Sequence, residues 1–132
     1  MIVNGHGGNY ILSNSVQELS GRRYSSAILF PTSADWAEAR KDAGIATSQH
    51  EDMHAGELEA SVLLSVAPHL LREGFRDSDH SVDDRRMLLS IGMHPYTSTG
   101  IIGRPSLATA EKGARLVEAL ANLAARHIAS PV

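Results

Sequence analysis

The sequence predicts an α/β fold with a mainly parallel sheet. Three observations carry this. Short apolar runs that end in turns alternate with segments of helical period. The run Ser26–Phe30 is closed by Pro31, as a short buried strand would be. From Thr109 onward the apolar spacing is that of a long amphipathic helix. A length of 132 residues suits one domain, so residues 1–132 are expected to form a single unit.

Met1–Val3 reads as the end of a strand, and Gly5–Gly8 as the turn that leaves it. Three of the four turn residues are glycine, which admits φ > 0 and lets backbone approach a ligand. From Tyr10 to Leu19, apolar residues at 11, 12, 16 and 19 keep a helical period, and Gly21 supplies a stop. After the strand at 26–30, Ser33 can cap a short helix to Lys41 that ends near Gly44. Residues 45–53 are polar and loop-like. A helix from about Ala55 to Val66 has the stripe Leu58, Val62, Leu63 and Val66, and Pro68 ends it. Residues 72–86, dense in charge, read as a solvated excursion. Ser98–Pro105, with two glycines, reads as a shaped loop. Thr109 can cap the last helix, with Leu116, Val117, Leu120, Leu123, Ala124 and Ile128 on one face.

Hydrophobic residues make up 42% and charged residues 20%, so the chain should bury a core. A net charge of −3 argues against a nucleic-acid binder. No apolar run approaches the roughly 18 residues that span a bilayer, and no signal-peptide pattern opens the chain. With no cysteine there is neither a disulfide nor a thiolate metal site. These features fit a cytoplasmic protein.

Two stretches can carry chemistry. His6 lies in the glycine turn, and imidazole is both a metal ligand and a base near neutral pH; a solvent-exposed turn histidine is the plain alternative. In HEDMHAGELE, residues 50–59, His54 and Glu57 are three apart and share a helix face, whereas Glu59 points about 180° from Glu57 by the 3.6-residue period. Such a His–Glu pair can hold a cation or supply a proton-transfer histidine. Carboxylates favoured at a helix N-terminus explain Glu51, Asp52 and Glu57 equally well, but not His54. Arg104 and Lys112 are candidates for contact with a substrate or a neighbouring subunit, or simply parts of a loop and a helix start. Trp36 follows the end of the second strand and reads as core more readily than as binding surface. His69, His80, His94 and His127 are scattered. No G-x-G-x-x-G, P-loop or G-x-S-x-G motif occurs.

Three segments in order, Val3–Asn9 (VNGHGGN), Asp52–Ser61 (DMHAGELEAS) and Gly103–Gly113 (GRPSLATAEKG), resemble the creatininase family of metal-dependent amidohydrolases. The resemblance implies a three-layer α/β/α fold, homo-oligomers that are commonly hexamers, and two divalent metals, zinc or manganese, whose bridging water attacks an amide carbonyl. Two close metals lower the pKa of that water and polarise the carbonyl. By the same resemblance His6 would be a metal ligand and His54 the proton-transfer residue, with a small-molecule amide as substrate. Creatininase proper has Tyr-Glu just after the first histidine, that Glu being a ligand, and here Gly7 and Gly8 stand there. Glu57 would fill the position. Asn9, Asp52 and Glu59 would orient ligands or touch substrate. Ala60 replaces a more usual Thr, and Gly8 argues against creatinine itself.

Full-length relatives also carry a Glu-x-His pair and a later bridging Asp in a first half. No Glu-x-His occurs here. The expectation is therefore the C-terminal portion of a creatininase-like domain, without the N-terminal metal ligands and inactive alone. The alternatives are a non-catalytic interaction module and a mycofactocin-maturation-type peptidase.

Overall fold

The computed structural model describes residues 1–21 and 27–129. Strand β1 (Ile2–Val3) pairs in parallel with β2 (Leu29–Phe30), in register Ile2 to Leu29 and Val3 to Phe30. Between them runs α1 (Ile11–Ser20), so the first unit is the βαβ crossover that a parallel pair requires. Then follow α2 (Ser33–Ala43), α3 (Glu57–Val66), α4 (Leu88–Ile91) and α5 (Ala110–Ala129), with single 3₁₀ turns at Pro68–Leu70, Phe75–Asp77 and Pro105–Leu107. The α/β class holds. The second strand is shorter than its apolar run, and Ser26 lies outside the described residues.

Local chemistry sets the boundaries. Thr32, not Ser33, caps α2: its hydroxyl accepts from Asp35 N while Asp35 accepts from Thr32 N, a capping box. Gly44 closes α2 at φ 70°, a left-handed position suited to glycine. Thr109 caps α5 as expected, accepting from Lys112 N at 3.2 Å.

The core gathers Phe30, Ala39, Ala43, Leu116 and Leu123. On α5, Leu116 and Leu123 are buried and Leu120 packs beside them, whereas Val117 and Ile128 of the expected face are exposed. On α3 the buried face is Glu57, Ala60 and Ser61; Leu58 and Val62 pack on the core's margin and Val66 is exposed. Small residues turn inward because α3 crosses α5 backbone to backbone at Gly113, where an added Cβ would fall inside the Ser61 carbonyl. Gly113→Ala should therefore push the two helices apart and cost about 1–3 kcal/mol, read as a lowered urea midpoint with the α5 helix still formed by circular dichroism.

The 72–86 excursion is pinned rather than free. Asp79 accepts from Ser106 N and Oγ at 2.9 and 2.6 Å, and Arg76 donates to the carbonyls of Ser106 and Ala108. Among the described residues no helix is long and apolar enough to cross a membrane.

Candidate functional site

Asn4–Gly8 leaves the carboxyl end of β1, where open parallel sheets place their ligands. Asn4 Oδ1 accepts from His6 N at 3.2 Å and from Asn9 Nδ2 at 2.9 Å. Asn9 therefore braces the turn through Asn4, while the exposed His6 ring projects from it. The turn's glycines do not take the positive φ expected of them, since the positive-φ glycines are 44, 74, 92 and 100. Gly8 is required for space instead: a Cβ there would lie 2.8 Å from His6 Nε2. Gly8→Ala should displace the His6 ring with a stability change under about 1 kcal/mol. Shifted His6 ring resonances at an almost unchanged Tm would show it.

His54 is held on three sides. Its backbone pairs with Ile102, N–H to O at 2.9 Å and N–H from Ile102 at 3.0 Å. Its Nδ1 lies 2.9 Å from Gly100 O. A carbonyl only accepts, so Nδ1 carries a proton, and Nε2 is the ring nitrogen left to the cleft. Ala55 then takes φ 54°, a left-handed conformation that a non-glycine residue adopts at a cost of about 1–3 kcal/mol. Its N–H is taken by the Glu59 carboxylate. This strained step directs His54 one way and α3 the other. The Ser98–Pro105 loop thus acts as the seat of His54, a role its glycines and proline alone do not reveal.

Asp52 is buried at the start of α3. It accepts from Glu57 N at 2.7 Å, Leu58 N at 2.9 Å and Arg40 Nη2 at 3.3 Å. It caps a helix whose own N-cap, Gly56, has no side chain. Among the described residues Asp52 hydrogen-bonds to no histidine; it fixes the segment that carries His54. Asp52→Ala should cost about 1–3 kcal/mol by leaving these buried donors unpaired, measured by urea denaturation.

Glu57 faces away from the cleft. It is fully buried; its oxygens accept from Ala46 N, Thr47 N and Thr47 Oγ1, and from Lys112 Nζ at 2.5 Å. Arg104 pairs with Asp79 at 3.5 Å. Both basic candidates are thus held by carboxylates of this chain.

The structure brings together His6, His54 and Glu59. The two rings meet edge to face with centroids 6.4 Å apart. They line a cleft of about 760 Å³ whose far wall includes Leu88, Leu89 and Met93. Leu89 is 76% exposed there. This wall comes from α4, which the charge-dense sequence before it did not announce. Arg85 ties the segment to the site, donating to His50 O at 2.9 Å.

Two imidazoles and a carboxylate in a strand-end cleft are groups that can accept and donate protons. The comparisons define the lineage. The creatininase family model, described as creatinine amidohydrolase, matches residues 1–128, and the chain belongs to that family. It is 28% identical over 120 residues to the mycofactocin precursor peptide peptidase of Mycobacterium ulcerans (strain Agy99), covering 88% of this chain and 42% of that relative. The chain thus spans less than half the length of the curated relative it matches. No solved structure matches it. Family and relative together support a hydrolase-type function.

Proposed function

We propose that this chain is the C-terminal portion of a creatininase-like, three-layer α/β/α hydrolase that cleaves the C–N bond of an amide. The observation that carries the reading is His54, whose Nδ1 is committed to Gly100 O and whose ring lines the cleft with His6 and Glu59. An imidazole held in this tautomer takes a proton at Nε2 from the attacking water and returns it to the departing nitrogen. His6 and Glu59 line the same cleft. Glu59, rather than Glu57, is the carboxylate available there, because Glu57 serves Lys112 and the 46–47 backbone.

The family is generally metal-dependent. The described residues do not fit a metal centre: no group of three or more His, Asp or Glu among them is placed to hold an ion. A catalytic zinc takes three protein ligands. The remaining ligands then come from polypeptide outside these residues, and the chain alone is inactive. The chemistry of this chain's own side chains is positioning and proton transfer.

The substrate favoured is a peptide amide. The relative bears a precursor-peptide peptidase name, and an apolar wall on α4 suits a side chain better than a small polar ring. Homo-oligomeric assembly belongs to the same proposal. The test is hydrolysis of a short peptide library by the chain within its full-length form. Peptide cleavage that disappears in His54→Gln while the fold persists supports the reading. Cleavage at wild-type rate in His54→Gln contradicts it.

A further inference from the structure

Behind the cleft lies a second cavity of about 220 Å³, lined by Asn4, Trp36, Arg40 and Gln49 and separated from the first by His6, Met53 and Glu59. Arg40 is its one cationic side chain, nine-tenths buried. All of its hydrogen bonds with described residues are made by Nη2: to Thr47 O at 2.8 Å, Thr47 Oγ1 and Ser48 O at 3.2 Å each, and Asp52 Oδ2 at 3.3 Å. Nε and Nη1 have no partner among the described residues. No buried side-chain nitrogen or oxygen among them is left unsatisfied, so these two are open to the cavity rather than sealed. Asp52 pairs with Arg40 through Nη2 alone and also serves the first amides of α3, so the pair leaves the other two guanidinium nitrogens as donors.

Resting on the amide-cleaving reading, we infer that this cavity is a substrate subsite for a carboxylate, on the side of the scissile bond away from α4. A carboxylate is small enough for the space and can accept a hydrogen bond from Arg40 Nε or Nη1, which lie on different edges of the guanidinium; with one charge it is opposed less by Asp52 and Glu59, which line the same cavity, than a doubly charged group is. Gln49 offers an amide donor from an exposed position, and Trp36 gives an apolar wall for the carbon next to the acid. A phosphate fits less well, because Asp52 and Glu59 oppose a second negative charge. The substrate so described has an apolar group on one side of the amide and an acid on the other, as at the carboxyl terminus of a peptide.

Trp36 is the sole tryptophan, so its emission reports this cavity alone. The chain is titrated with N-acetylglycine, with the neutral isostere N-acetylglycinamide and with inorganic phosphate at fixed ionic strength. Saturable change in Trp36 emission with N-acetylglycine, at least tenfold tighter than with the amide or phosphate, is the expected result. Arg40→Gln should abolish the difference, and Gln49→Leu should weaken acid binding severalfold. Equal binding of acid and amide by the wild type overturns the inference, and this comparison stands even where Arg40→Gln fails to fold. Phosphate binding as tight as the acid overturns it too. Acid-selective binding with no peptide cleavage by the full-length enzyme would sink the proposed activity and leave the anion site standing. Cleavage without acid selectivity would sink the subsite alone.

Discussion

Glu57→Ala should unfold most of the chain, lowering stability by about 3–5 kcal/mol, as expected when one partner of a buried ion pair is removed. The carboxylate joins three parts of the fold at once: the 46–47 loop through two amides and a hydroxyl, α3 through its own backbone, and α5 through Lys112. Its removal leaves the Lys112 ammonium, 18% exposed, without its anion. Lys112→Met in the Glu57→Leu background should recover part of the loss, because an apolar pair of similar volume carries no desolvation cost. Urea denaturation of both single variants and the double variant measures this coupling.

The same network sets an acid limit. Burial alone would raise the Glu57 carboxyl, but the Ala46 amide, the Lys112 ammonium and the Thr47 donors outweigh it and hold the group below its ordinary value of 4.5. A carboxyl depressed in the fold stabilises above its ordinary value, and the contribution is lost as pH falls toward the folded value. The Glu57 contribution to stability should therefore be full above its ordinary value and decline as pH falls below it. The Glu57→Gln variant should start lower and show a shallower decline.

His54→Gln carries the second large effect. It should reduce the proposed amide cleavage about 10²–10⁴-fold, the usual share of a positioned acid–base group. Folding should be little changed, because the backbone pair with Ile102 does not depend on the side chain. A loss confined to kcat, with KM unaltered, is the signature of a group that acts only in the transition state. Ala55→Gly, which relieves the left-handed step beside it, should leave stability equal or slightly higher; loss of kcat in that variant would show that the strain positions His54.

The sequence held the parallel βαβ unit and the four longer helices in readable form, because each rests on period and capping chemistry between neighbours; His54, expected to share a helix face with Glu57, instead lies before α3 and bridges to Ile102. It also showed that Glu57 and Glu59 point opposite ways. Which of the two turns inward was not legible, since that depends on Gly113 letting α5 approach Ser61 from 48 or more residues away. Trp36, read as core, is half-buried and lines a cavity because the strand it follows ends beside the His6 turn. Helix α4 was hidden by its charged approach, and Arg40 by a helix whose other basic residue, Lys41, faces water.

We propose that His6, His54 and Glu59 form one wall of a hydrolytic site and do not by themselves make a metal centre. Calorimetric titration of this chain with zinc tests it most directly. The account predicts weak, substoichiometric heat that His6→Ala diminishes further. Stoichiometric uptake of two zinc ions per chain at micromolar protein would contradict it.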